Sequence, residues 1–216
     1  MKQTLFNSFE FKILLVGVFL SVLLMVFIGF YGVTDLKKAE TLVLVFGAHA
    51  VGGRAAGVGL CIYNGMGALL TIGYNFYIEV LIVCFTYAGF VLSTQRYLRV
   101  PWIITFMDRL NAKALGQKDK IQPYGWIGIF LFVMAPLPVT GPVIGSIIGY
   151  MLRLDLVRNL SATFLGTLTA IMAWFYCFDF LEHRFHVIQY IFAAIAVAVV
   201  IPYLKKIKAF IVGGKS

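Results

Sequence analysis

The chain has 216 residues, of which 61% are hydrophobic and 12% charged, with a mean hydropathy of +0.93. A water-soluble domain carries about a quarter charged residues, and one of this size has too little interior to hide so much apolar surface, so a soluble fold is excluded. The net charge of +9 would suit a nucleic-acid face, but the basic residues lie in the gaps between apolar runs, where they act as topology signals and imply no nucleic-acid partner.

The first apolar run, residues 13–32, is long enough to cross about 30 Å of hydrocarbon. It exceeds the apolar core of a signal peptide and lacks a small-residue cleavage site, so it is expected to stay as a transmembrane helix. Residues 41–67 are apolar but rich in Gly, and residues 68–94 form a third run. Residues 96–120 carry six Lys/Arg and two Asp and are expected to form a basic cytoplasmic loop. Residues 124–151 are apolar again, with several Pro and Gly. Residues 160–180 and 188–204 have helix length, separated by Glu182, His183, Arg184 and His186. Cys61, Cys84 and Cys177 fall in apolar stretches without metal-ligand spacing and are expected to be small buried side chains.

The positive-inside rule places the basic loop and the Lys-rich C-terminal tail in the cytoplasm. Residues 160–204 then cross twice, which returns Arg153 and Arg158 to the cytoplasmic side. Residues 124–151 must enter and leave on that side, and residues 41–67 must enter and leave on the other. Both termini are cytoplasmic in this count. The expected fold is an all-α integral membrane protein occupying residues 1–216 as a single membrane domain. It is an inverted repeat of two re-entrant helical hairpins, each followed by a long transmembrane helix, with flanking N- and C-terminal transmembrane helices. The expected location is the inner or plasma membrane.

Broken apolar segments at matching places in two halves point to a transporter binding site. Backbone that leaves the helix at membrane depth must be covered by protein or face a water-filled cavity. The first break reads Gly52-Gly53-Arg54-Ala55-Ala56-Gly57. The second reads Ala135-Pro136-Leu137-Pro138-Val139-Thr140-Gly141-Pro142, and Pro136, Pro138 and Pro142 cannot share one continuous helix. Helix N-termini at such breaks offer free N–H groups and a positive dipole end to an anion. Gly53 and Gly57 are four apart, as are Gly141, Gly145 and Gly149, which lets helix backbones approach closely.

Arg54 is a charge far inside an apolar stretch, which points to function, here the binding of an anion. The bland alternative is an Arg that ties down hairpin carbonyls or snorkels to head groups. Glu79 lies midway along the third run, on one helix face with Thr71, Asn75, Thr86 and Ser93. It is a candidate proton carrier or a structural partner of Arg54. His49 titrates near neutrality when free and is a second proton-coupling candidate. Asn159, Thr163 and Thr167 form a neutral stripe suited to helix packing. Glu182, His183 and His186 have helix-compatible metal spacing, but their place in a short exterior link argues against a metal site. Phosphate-loop, nucleophile-elbow and dinucleotide motifs do not occur, so no enzyme activity and no cofactor is expected.

The two breaks, Gly53-Arg54-Ala55-Ala56-Gly57 and Pro136-Leu137-Pro138-Val139-Thr140-Gly141-Pro142, resemble those of the small multidrug export proteins over about residues 41–180. That family in turn resembles the wider DedA/VTT membrane proteins in having paired re-entrant hairpins. DedA proteins typically carry an acidic residue in the first hairpin and an Arg in the second. Here the first break holds Arg54, and residues 124–151 hold no charge. The resemblance implies transport or lipid flipping linked to the proton-motive force, with lipid-linked phosphates among the substrates.

The expected function is therefore a transporter or flippase of an amphipathic, anionic, lipid-like substrate. Gly53, Arg54, Gly57, Pro136, Pro138, Thr140 and Gly141 would bind it, and Glu79 and His49 would couple it to protons. A small multidrug exporter and a non-transporting membrane scaffold are the alternatives. Membrane lipids are the expected partners, and a homo-oligomer is compatible with the sequence.

Overall fold

Helix α1, Phe9–Thr34, is built from an almost unbroken apolar run. The Ser21 and Thr34 hydroxyls donate to the Gly17 and Phe30 carbonyls of the same helix, so neither needs water. Leu15, Phe19, Met25, Val26 and Phe30 are exposed, an apolar face that lipid tails would cover and water would not. The computed structural model describes residues 9–94, 101–135 and 141–184. No strand occurs among these residues. Four of the described helices are long and apolar enough to cross a membrane: Phe9–Thr34, Leu36–Tyr63, Ala68–Thr94 and Leu156–Phe180.

Helix α2, Leu36–Tyr63, opens on Asp35, whose carboxylate accepts from the Lys38 N–H at 3.1 Å. It is not one straight rod. Gly53 has φ 74° and ψ −165°, a backbone region open in practice only to glycine. A Cβ placed on Gly57 would lie 3.0 Å from the His49 Cβ. In a straight helix those eight residues would rise about 12 Å. The arms 36–52 and 54–63 therefore fold back on each other. Both ends of α2 accordingly line one cavity of about 450 Å³, Asp35, Lys38 and Thr41 from its start and Tyr63 and Asn64 from its finish.

Helix α3, Ala68–Thr94, is the central element, with Leu81, Val83, Tyr87, Phe90 and Val91 all buried. Its Tyr77 hydroxyl donates to the Leu20 carbonyl of α1 at 2.6 Å. Its Tyr74 hydroxyl donates to the Leu42 carbonyl of α2 at 2.8 Å. The Tyr74 bond is buried and the Tyr77 bond half-buried, and each fixes the approach of two helices.

The segment expected to be a basic loop is largely helical. Helix α4 spans Pro101–Ile121. Met107, Leu110, Ala114 and Ile121 are buried, on steps of three, four and seven that make one apolar stripe. They join a cluster with Val143, Ile144, Ile147 and Ile148, while Asp108, Arg109, Lys113 and Lys120 are exposed. The polar composition hid a half-buried helix.

A short 3₁₀ turn, Gln122–Tyr124, leads into α5, Gly125–Met134; α6 follows as Gly141–Met151 and α7 as Leu156–Arg184. A Cβ on Gly141 would lie 3.6 Å from the Val133 carbonyl oxygen, and one on Gly145 would meet Val133 and Ile129. Rising numbers on α6 thus meet falling numbers on α5, and the two helices run antiparallel. Helix α7 locks onto them through the Asn159 amide, which donates to the Ser146 carbonyl at 2.7 Å. The Trp126 indole donates to the Ser161 hydroxyl at 3.0 Å.

These contacts lie in one compact unit, residues 1–175; residues 176–216 form a second, described only as the end of α7. Cys61 and Cys84 are buried as expected, but Cys177 is exposed. It sits on a face of α7 that lipid could cover, so an apolar neighbourhood in sequence did not mean burial in protein. The expected helix 188–204 lies outside the described residues.

Candidate functional site

The site is assembled at the Gly53 break. Because Gly53 reverses the chain, the next residue, Arg54, is directed into the protein and is 5% exposed. Its Nη1 donates to the Val133 carbonyl oxygen at 2.8 Å. That carbonyl belongs to the last turn of α5, where a helix presents unpaired C=O groups and favours a cation. Arg54 Nε lies 3.6 Å from Glu79 Oε1, with both side chains 4% exposed. Arg54 Nη2 is buried and has no hydrogen-bond partner among the described residues. A Cβ on Gly141 would lie 2.7 Å from that nitrogen, so the absent side chain of Gly141 makes room for the guanidinium.

Glu79 comes from the middle of α3, and its Oε1 also lies 3.3 Å from His49 Nε2. This is ion-pair range, and His49 Nε2 has no hydrogen-bond partner among the described residues. On the other side of the ring, His49 Nδ1 lies 2.8 Å from Asn75 Oδ1. The Asn75 amide nitrogen donates to the Thr71 carbonyl at 2.8 Å and to Cys61 Sγ at 3.4 Å. Gly57 faces His49 and Asn75, and any Cβ there would collide with both.

Of the residues singled out in the sequence, the fold brings together Gly53, Arg54, Gly57, His49, Glu79 and Gly141. Pro136, Pro138 and Thr140 lie outside the described residues. Two members were not singled out. Asn75 was visible as the central residue of the Thr71–Asn75–Glu79 stripe, but nothing local marked it as the partner of His49. The Val133 carbonyl carried no sequence signal, because any residue supplies one. Among the described residues no group of three His, Cys, Asp or Glu is placed to hold a metal ion.

The sequence profile of the family described as "Putative small multi-drug export protein" matches residues 54–173, more than half of the 216 residues. The chain belongs to this family. The small multi-drug export match begins at Arg54 and takes in Asn75, Glu79, Val133 and Gly141, while His49 and Gly53 precede it. No curated protein and no solved structure matches the chain. A family named for export and four apolar helices of spanning length together fit a multi-pass membrane protein.

Proposed function

We propose that this protein moves an amphipathic anion, such as a lipid-linked phosphate, across or between the leaflets of the membrane, with Arg54 as the head-group ligand. One observation carries the reading: Arg54 Nη2 is a buried donor without a partner among the described residues, at the point where two short helices begin. Residues 54–63 start at Arg54 itself, and Gly141 opens α6 beside its guanidinium. Both helix starts add positive potential to a cation whose one carboxylate neighbour among the described residues is Glu79. A bound anion would satisfy the free N–H and offset the excess charge.

The same geometry supports re-entrant hairpins. The arm 54–63, α5 and α6 each rise about 15 Å, half the hydrocarbon thickness, and each folds against an antiparallel partner. An inverted repeat is supported by spacing: Gly53 and Gly57 precede Thr71, Asn75 and Glu79 as Gly141 and Gly145 precede Asn159, Thr163 and Thr167, with every pair offset by the same 88 positions. This arrangement is also the ground for relating the chain to DedA/VTT proteins. We read both termini as cytoplasmic, the membrane as the inner or plasma membrane, lipids as partners, and the protein as a transporter rather than an enzyme. Glu79 and His49 are placed to couple transport to protons.

Export of small cationic drugs is the second reading, favoured by the family's name. It would use Glu79 rather than Arg54 as the ligand. Efflux from reconstituted vesicles separates the two. Arg54→Gln should stop movement of a phosphate-bearing amphiphile, whereas Glu79→Gln should stop movement of a lipophilic cation. A protein that moves neither probe would be a scaffold, and the transport reading would fail.

A further inference from the structure

We infer that the end of the bundle where α1, α2 and α3 meet holds one resident phospholipid of net negative charge, its head group against Lys37 and Lys38 and one acyl chain along α3. This seat is separate from the Arg54 cluster and stands whether or not that cluster binds an anion.

Two volumes join there. The cavity of about 450 Å³ between the two ends of α2 is lined by Asp35, Lys37, Lys38, Thr41 and Asn64. A groove of about 760 Å³ is lined by Leu23, Leu24 and Phe27 of α1 and by Leu69, Tyr74 and Tyr77 of α3. Lys38, Gly67 and Leu70 border both, so a polar chamber opens directly into an apolar one. A small water-soluble anion would leave the groove unfilled, and a bare hydrocarbon would leave the lysines unmatched. An amphiphile satisfies both.

The dimensions fit a lipid. The chamber's walls include Asp35, between α1 and α2, and Gly65, between α2 and α3, so it sits at helix ends, the level of bilayer head groups. From Ala68 to Tyr77 the groove follows α3 for about 14 Å. Half of the hydrocarbon thickness, the depth of one leaflet, is about 15 Å. The Tyr74 and Tyr77 hydroxyls donate to the Leu42 and Leu20 carbonyls, so their hydrogens are already engaged. Leu69 is 90% exposed, apolar surface that a chain in the groove would cover. A Cβ on Gly67 or Gly73 would meet nothing within 4 Å, so both glycines leave the groove open.

Charge selects the head group. Lys37 and Lys38 against Asp35 give the chamber one net positive charge. The Asp35 carboxylate accepts from the Lys38 backbone N–H, and Lys38 Nζ lies 4.7 Å from the centre of the Tyr31 ring. Neither lysine is in an ion pair among the described residues. A phosphodiester brings the one negative charge required. A zwitterionic head group would bring a cation of its own beside the lysines.

The test is native mass spectrometry of the full chain in detergent, titrated with dioleoyl phosphatidylglycerol or dioleoyl phosphatidylcholine. Wild type should bind one phosphatidylglycerol about fivefold more tightly than phosphatidylcholine, the effect of one net charge near a head group. Gly73→Leu fills open space in the groove and should lower that affinity at least about tenfold. Gly29→Leu is the matched control: a Cβ there also meets nothing within 4 Å, and Gly29 lies on the other side of α1 from Leu23 and Phe27. It should bind as wild type does. Lys37→Gln/Lys38→Gln should erase the preference between the two lipids. If one of these variants fails to fold, the other decides. Equal wild-type affinity for the two lipids, or binding untouched by Gly73→Leu, overturns the seat. Displacement of the lipid by inorganic phosphate would make the chamber a free-anion site and overturn it as well. A dimer that forms without lipid and is lost in Gly73→Leu would make the occupant a second copy of the chain. Binding lost in Arg54→Gln but kept in Gly73→Leu would place the lipid at the Arg54 cluster, against the seat and in favour of the function proposed above.

Discussion

Arg54 and Val133 are 79 residues apart in the chain, and the Arg54 guanidinium donates to the Val133 carbonyl at 2.8 Å. One side chain at the first break thus grips the backbone that leads into the second. Arg54 is a structural tie and a candidate ligand at once, and the fold brings Gly53, Val133 and Gly141 around it.

The structure gives Arg54 a role in holding the fold, beside the candidate ligand role read from the sequence. Arg54→Ala strips a partner from Val133 and leaves Glu79 buried without its cation, at a cost of about 3 kcal/mol. Thermal unfolding in detergent should show a clear drop for Arg54→Ala and substantial recovery in Arg54→Ala/Glu79→Gln. Arg54→Lys should be intermediate, since a single ammonium cannot reproduce the planar fork. Equal stability of Arg54→Ala and wild type would mean that the buried pair does not form.

Gly53 holds φ 74° and ψ −165°. Gly53→Ala should cost about 1–3 kcal/mol through backbone strain. Gly47 is the control: it lies within the first arm, and a Cβ there meets nothing within 4 Å. Gly47→Ala should be neutral or stabilising by up to about 1 kcal/mol. Denaturation midpoints for the two variants give the answer, and similar midpoints would remove the argument that the arm reverses at Gly53.

Gly141→Ala would place a methyl 2.7 Å from Arg54 Nη2. That nitrogen is the far end of a flexible side chain, so the guanidinium can move aside. We expect nearly normal unfolding temperature but at least about tenfold slower movement of a phosphate-bearing amphiphile, a loss of about 1.4 kcal/mol in the transition state. Normal transport by a folded Gly141→Ala protein would show that the guanidinium position is not what the substrate reads.

Membrane orientation can be read with an impermeant thiol reagent. Cys61 and Cys84 are buried, but Cys177 is exposed and must first be changed to Ser. A cysteine at Lys113, exposed on α4, should then label from the cytoplasmic side. A cysteine at His183, by contrast, should label from the outside. Labelling of both positions from one side would break the topology derived from the positive-inside rule.

The sequence by itself determined the solvent. Lipid imposes strict demands on composition and run length, so the apolar helices and the two broken segments could be read locally. Gly53 and Arg54 were visible because glycine geometry and intramembrane charge are anomalies at single positions. The exposed charged residues of α4, Asp108, Arg109, Lys113, Asp119 and Lys120, outnumber the buried Met107, Leu110, Ala114 and Ile121, so its stripe passed for a loop. Only the tertiary structure decided the partners. That Arg54 meets Val133 and Gly141, and that Asn75 fixes the ring of His49, depends on how the arms of α2 fold back and how α3 packs between both breaks. A hydrogen bond to a main-chain carbonyl leaves no mark on the residue that accepts it, and a contact across 79 positions has no local period to betray it.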